Sequence, residues 1–370
     1  MMADVTSTAD LVPPDHPHAD VVVVVGAAGP LGVAVVARLV ADPAVGRVVA
    51  IDRVGHRSPA SSTSVDVVVG DVVGASDGQL DTWLDGADVV IHLAPTTADG
   101  PGVDGTATRS FDLPAFDRLL RSATRAGVGQ LVLLSTGMAY GAWTDNPMPI
   151  TEAAELRPNR GLRFAEDRAG AEASLASWRS LTGAVAATVR PTVVVAFAAR
   201  QWFVGSPWSM VGLKASDIEV PAQFLLLDDL AAAVDAVRRA RFDGAANVAP
   251  DGWISPDLLP TLSGPGRRFA VPRTLALAVE RLRWRLGASQ VPPEALPWVV
   301  HPWVLANDVV RSCGWEPSAT NEEAYVEVDA GGRWASMSAR RRQELSLSAS
   351  VLAVVGLGLG IRAVLGARRR

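Results

Sequence analysis

The chain has very little of the residues that most often carry chemistry: one cysteine, two tyrosines, five histidines and, among 34 basic residues, a single lysine. The lone Cys313 excludes an intramolecular disulfide. With neither CxxC nor HExxH spacing, no metal site is expected. The formal net charge is −5, and no Lys/Arg run is interleaved with aromatics, so nucleic acid is not an expected partner. No basic start followed by an apolar run marks a secretory signal, and "MMADVTSTADLVPPDHPHAD" reads as a polar, proline-broken lead-in over residues 1–19, disordered. A cytoplasmic, reduced setting is the default reading.

What the chain does have is hydrophobic content, 49% overall, enough to bury a large core. From Asp20 onward short β-branched runs alternate with helical periodicity, the pattern of parallel strands joined by crossover helices. Strands are expected at "VVVVVG" (21–26), "RVVAID" (47–52), "DVVVGD" (66–71), "DVVIHLA" (88–94), "QLVLLS" (130–135) and "AATVRPTVVV" (186–195). Helices are expected near 80, 118 and 170, and later over 273–286 and 320–328. The fold class is therefore α/β, a doubly wound parallel sheet of Rossmann type over residues 20–195. An irregular substrate-side region follows at 196–335, interleaved with the sheet. A ligand should lie beyond the carboxyl ends of the strands.

Residues 336–370 form a basic and apolar tail. Leu345 to Ile361 carry no charge, and extension to Leu365 gives a candidate helix over 345–365. At 1.5 Å per residue the uncharged stretch is about 26 Å long, slightly under a hydrocarbon core. Three placements stay open: a helix anchoring the chain to the inner face of a membrane, a helix lying at the interface, and a soluble helix packed on the domain or a partner. A homodimer is also compatible with the sequence.

The first strand runs into "VGAAGPLG", with glycines at 26, 29 and 32. Glycine permits a tight turn and lets backbone amides approach a pyrophosphate, while the helix start supplies partial positive charge. Gly26, Gly29, Pro30, Leu31 and Gly32 are thus the candidate phosphate loop, with Pro30 contributing no N–H. Twenty residues past Gly32, Asp52 ends the second strand, where its carboxylate can accept from both ribose hydroxyls of an adenosine. It would repel a 2′-phosphate, which favours NAD over NADP, and Arg53 partly offsets that repulsion.

Together with "GD" (70–71), "VIHLA" (90–94), "LLSTGMAYG" (133–141), "VRPT" (189–192) and "QFLLLDDLA" (223–231), these features resemble the extended short-chain dehydrogenase/reductase family, also called the NAD-dependent epimerase/dehydratase family. The resemblance covers roughly residues 20–330. It implies that Asp71 and Val72 flank the adenine, that Leu93, Ala94 and Pro95 run under the cofactor, and that Pro191 lies near the nicotinamide. It makes Thr136 the catalytic hydroxyl and Tyr140 a pocket residue; the plain alternative for Thr136 is a strand-end hydroxyl capping a loop.

The family's acid, a tyrosine in Tyr-x-x-x-Lys, should fall in "LRFAEDRAGAE" (162–172). Phe164 and Arg168 stand at the two positions. Tyr140 belongs to another motif, and Tyr325 and Lys214 are far away in sequence, so the acid is absent rather than displaced. Phe164 has no proton to exchange, whereas Arg168 keeps a charge and donors for ribose hydroxyls. Removal of a positioned acid typically costs about 10²–10⁴ in rate. Thr136, Tyr140, Glu166 and Asp167 are the candidate substitutes, with Glu166 and Asp167 expected to point away from the face of Phe164 as solvated surface. "SFDLPAF" (110–116) also departs from the family's Asn and Gly-Thr, and Val25 from its usual Thr.

Two functions remain. One is an oxidoreductase or epimerase acting on a nucleotide sugar or a sterol-like alcohol through a non-standard acid. The other is a catalytically silent, NAD(H)-binding structural or redox-sensing protein with no substrate, attached to a membrane in one version.

Overall fold

The computed structural model describes residues 19–55, 64–93, 111–195, 213–215, 220–258, 262, 269–285, 294 and 296–330. Seven strands form one parallel sheet: β1 (Asp20–Val25), β2 (Val45–Asp52), β3 (Ser64–Val69), β4 (Val89–His92), β5 (Gln130–Leu134), β6 (Val185–Pro191) and β10 (Gly244–Val248). Their spatial order is β10-β6-β5-β4-β1-β2-β3. The chain winds outward from β1 to β3, then returns to the other side of β1 with β4. That reversal opens a crevice at the carboxyl ends of β1 and β4. Two short pairs lie outside this sheet, β7 (Val193–Val195) with β9 (Phe224–Leu226) and β8 (Leu213–Ala215) with β11 (Phe269–Val271).

The valine run of β1 is explained by its place. Val22, Val23 and Val24 are completely buried because helices cover both faces of a central parallel strand. One face packs under α1 (Pro30–Ala41) and α5 (Leu227–Arg239) through Leu31, Val35, Leu39, Leu230 and Val234. The other packs under α2 (Asp77–Leu84), α3 (Leu113–Ala126) and α4 (Arg163–Thr182) through Leu80, Phe116, Leu119, Ala171 and Leu175. Each fully buried Val or Leu contributes about 1.5–3 kcal/mol relative to exposure. A third cluster, with Phe224, Ile254, Trp298 and Trp303, joins the later region to the sheet's carboxyl edge.

Helix ends follow local chemistry. Ser76 and Gln79 form a reciprocal capping box on α2. Asp112 caps α3, and Gly127 in the left-handed region ends it. The later helices are α6 (Arg273–Arg285), α7 (Pro297–Val300), α8 (Asp308–Ser312) and α9 (Asn321–Ala330).

The sequence boundaries need three corrections. The strand expected over 66–71 ends at Val69 because Gly70 and Asp71 enter a turn, the Gly74 and Ala75 amides both donating to the Asp71 carbonyl. The run 186–195 is two strands: Thr192 turns its amide to the Val248 carbonyl, and β7 then leaves the main sheet for β9. The strand expected over 88–94 is β4, which starts at Val89 and ends at His92. The lead-in (1–18) and the tail (336–370), including 345–365, lie outside the described residues. Among the described residues no helix is long and apolar enough to cross a membrane.

Candidate active site

Five strand ends converge at the carboxyl edge. At β1 the three glycines differ in what requires them. Gly26 adopts φ +88°, and a Cβ there would lie 2.2 Å from the Leu93 carbonyl oxygen. At Gly32 a Cβ would meet the Gly26 oxygen at 2.2 Å. Turn and helix packing therefore demand these two. Gly29 is different: its φ is −68°, an ordinary value, and a Cβ would find only the Gly26 oxygen, at 3.8 Å. Among the described residues nothing requires glycine at 29, and the space beside it leaves room for a ligand lying against the helix start. Pro30 occupies the first turn, where a missing N–H breaks no helical bond, and the Leu31 and Gly32 amides precede the first intrahelical bond, Val33 N to Gly29 O at 2.9 Å. These residues fit a pyrophosphate.

Asp52 faces this loop from β2. One carboxylate oxygen accepts from the Ala28 amide at 2.9 Å and the other from the Arg53 amide at 2.7 Å, which ties the loop to the strand and leaves lone pairs for hydroxyls. Asp71 accepts from the Val73 amide at 3.0 Å, and Val72 is buried beside it. Leu93 is buried at the end of β4. Ala94 and Pro95 lie outside the described residues. Pro191 is the last residue of β6, its carbonyl facing Gly137 across the edge.

At β5, Thr136 is buried and its hydroxyl accepts from the Met138 amide at 3.2 Å, starting a 3-10 turn over Gly137–Tyr140. The loop-capping role is thus present, and the hydroxyl proton remains to be donated. Beside it runs a buried polar chain. Ser135 donates to Glu172; Glu172 pairs with Arg190 at 2.6 Å; Arg190 donates to the Tyr140 oxygen at 2.6 Å; Tyr140 donates to Asn247 at 2.8 Å. Tyr140, 1% exposed, thereby has both its donor and an acceptor site engaged, and burial above all pushes its phenol pKa up. This corrects two expectations: Tyr140 neither lines an open pocket nor serves as a spare acid. It braces β5, β6 and β10 against α4.

Arg168 is the site's least compensated group. It is 2% exposed, donates to the Leu134 carbonyl at 2.5 Å, and lies 4.9 Å from the centroid of Phe111 and 5.3 Å from that of Phe164. Its Nε has no hydrogen-bond partner among the described residues. Burial lowers its pKa to about 10, with Asp167 and Glu172 opposing the shift. The Phe164 ring thus packs against the guanidinium. His92, at the end of β4, packs on Phe111 and Phe116 at 5.4 and 5.1 Å. Burial, then the Arg168 charge, depress its pKa to about 3, so the imidazole is neutral.

Glu166 turns back to accept from the Gly161 amide at 3.3 Å. Asp167 corrects the expectation that it points away as solvated surface. Three residues after Phe164, it lies on the same side of the helix. It accepts from the Phe111 amide, and its Oδ2 is buried without a partner. Burial raises its pKa. Sequence reasoning quoted His92 and Phe111 within "VIHLA" and "SFDLPAF" but gave neither a role; an ionisable ring in an otherwise apolar strand end was the available signal.

A Rossmann sheet with this glycine loop, acidic strand end and α4 face defines a class of nucleotide-binding α/β proteins. The model of the NAD dependent epimerase/dehydratase family matches residues 22–237, and the chain belongs to that family. Solved structures share its fold. UDP-N-acetylglucosamine 4-epimerase from Methanobrevibacter ruminantium M1, in complex with UDP-N-acetylmuramic acid, is 18% identical with a TM-score of 0.61, covering 84% of this chain and 97% of that one. A UDP-glucuronic acid 4-epimerase mutant from Bacillus cereus, solved with a fluorinated UDP-sugar and NAD, is 16% identical, TM-score 0.59, covering 83% and 97%. DesIV, a dTDP-glucose 4,6-dehydratase from Streptomyces venezuelae with NAD and TYD bound, is 19% identical, TM-score 0.57, covering 83% and 95%. No curated protein matches the chain by sequence.

Proposed function

We propose that the chain binds NAD along the carboxyl edge and oxidises or epimerises a nucleotide sugar, with proton exchange assigned to a group other than the family's tyrosine. The observation that carries this reading is Arg168: a buried guanidinium with an unpartnered Nε, one helical turn beyond Phe164, facing the ends of β4 and β5. A cation buried without a partnering carboxylate is costly. Its retention fits a ligand whose hydroxyls or carbonyls complete its donors.

In this reading the Gly29, Leu31 and Gly32 amides hold the pyrophosphate, Asp52 the adenosine ribose, and Arg168 the second ribose. Asp71 and Val72 border the adenine, and Leu93, Ala94, Pro95 and Pro191 border the nicotinamide half. Bound NAD supplies the hydride acceptor. Thr136 offers its hydroxyl as a hydrogen-bond donor to the substrate oxygen and keeps its proton. Asp52 favours NAD, because a 2′-phosphate beside its carboxylate would be repelled and Arg53 offsets this only in part. The nucleotide-sugar class is supported by what the structural neighbours are named for, and residues 196–335 are assigned to that substrate.

The second reading, a silent NAD(H)-binding protein, is favoured by Phe164 itself and by the engaged Tyr140. The two separate in one experiment: the full chain is given NAD or NADP with UDP-glucose, UDP-N-acetylglucosamine, UDP-glucuronate or a sterol alcohol, reading melting temperature, nicotinamide absorbance and sugar conversion. Stabilisation by NAD together with a reduced-nicotinamide signal, or with conversion of the sugar to its epimer, supports the enzyme. Stabilisation by NAD with neither signal nor sugar conversion supports the silent reading, and no stabilisation by either nucleotide contradicts both.

A further inference from the structure

Where α3 meets α4, at the end of β4, three polar groups are buried and unsatisfied together. Asp167 Oδ2, Arg168 Nε and His92 Nδ1 are three of the five buried side-chain atoms without a hydrogen-bond partner among the described residues. All three residues border Phe111, through its amide for Asp167 and its ring for Arg168 and His92. Native interiors leave only a few such atoms unpaired per hundred residues, so three of them around one ring call for an occupant. Asp167 follows Phe164 by three residues and precedes Arg168 by one, so it stands about 60° around the helix from the vacant acid position.

We propose that Asp167 exchanges the substrate's hydroxyl proton in place of the phenol that Phe164 lacks, directly or through one water. The proposal rests on the NAD-dependent reading given above. In the forward step the carbinol C–H leaves as hydride to the nicotinamide ring of NAD, the hydroxyl proton passes to Asp167 Oδ2, and the C–O bond becomes C=O. The reverse step returns proton and hydride to carbonyl oxygen and carbon. Asp167 fits the task better than an ordinary surface carboxylate because burial holds its pKa above the usual range, nearer to working pH. The charges facing it are Arg163 and Arg168, which lower that pKa, and Glu166, which raises it; α3 presents the Phe111 amide, and β4 presents His92 as a neutral ring.

The test compares wild-type full chain, Asp167→Asn and Asp167→Glu. NAD affinity is read by quenching of tryptophan fluorescence, and nicotinamide reduction and sugar epimerisation are read with the UDP-sugars named above. The protonated-carboxyl infrared band is followed through a pH titration without cofactor. The expected result is NAD affinity in Asp167→Asn within about twofold of wild type, nicotinamide reduction lowered by about 10²-fold or more, and partial recovery in Asp167→Glu. A carboxyl band titrating above the usual aspartate range should vanish in Asp167→Asn. Wild-type-like turnover in Asp167→Asn, neither nicotinamide reduction nor sugar epimerisation by wild type with any sugar, or no such carboxyl band overturns the proposal while NAD binding stands. Failure of wild type to bind NAD overturns the underlying reading and this proposal with it.

Discussion

Arg168 and Phe111 face each other across the junction of α3 and α4, the guanidinium carbon 4.9 Å from the ring centroid and no carboxylate bonded to the charge. Cation–π attraction of this kind contributes about 0.5–2 kcal/mol, less than the cost of burying an unpaired cation. Stability alone would favour an apolar side chain. Arg168→Met is therefore expected to raise the unfolding free energy, by about 1 kcal/mol or more, while weakening NAD binding about tenfold. Urea denaturation and calorimetric titration check the two halves. A variant that is both less stable and equally good at binding would assign Arg168 to the scaffold.

The glycine loop separates folding from binding. Gly26→Ala combines a left-handed φ with a 2.2 Å clash on backbone, and should cost several kcal/mol, on the order seen for strained or overpacked sites. Gly29→Ala should leave the melting temperature within about 2 °C of wild type, since the added Cβ makes only an ordinary contact with the Gly26 oxygen at 3.8 Å, yet weaken NAD at least tenfold by standing where the phosphates approach.

The Glu172–Arg190 pair should behave as a buried ion pair of the scaffold. Glu172→Ala leaves Arg190 with only its bond to Tyr140 and strips Ser135 of its acceptor. A loss of about 3–5 kcal/mol is expected in denaturant unfolding.

His92 introduces a pH dependence. Its folded pKa, about 3, lies below the value of about 6.5 of an unfolded histidine. The unfolded chain thus binds a proton that the folded chain refuses. The contribution to stability is complete above pH 6.5 and is lost as pH falls from there toward 3. His92→Phe should flatten the acid limb of stability over that window, by up to a few kcal/mol at its lower end. Carbon-13 shifts of the imidazole should report a neutral ring at pH 5.

The sheet was legible because β-branched runs such as 21–26 and the apolar face of α1 follow from burial on both sides. The glycine loop was legible because the tight turn after β1 and the close packing of α1 require glycine at 26 and 32, and Asp52 because it ends β2 facing that turn. The reading of Phe164 and Arg168 as a replaced Tyr-x-x-x-Lys pair rests on the sequence alone, because only two tyrosines and one lysine exist to be displaced. The surroundings were not. Tyr140 reads as a pocket residue until Arg190 and Asn247, 50 and 107 positions away, engage it. Asp167 reads as surface until α3 brings the amide of Phe111 onto it. Both depend on tertiary contacts that no local period encodes.

The central claim is that the edge still holds its cofactor without the phenol. Calorimetric titration of the full chain with NAD tests it most directly, alongside Asp52→Ala and Gly29→Ala. Micromolar or tighter binding by wild type, weakened at least tenfold in both variants with melting temperatures preserved, is the predicted result. No binding up to millimolar NAD, or equal affinity in all three proteins, would contradict it.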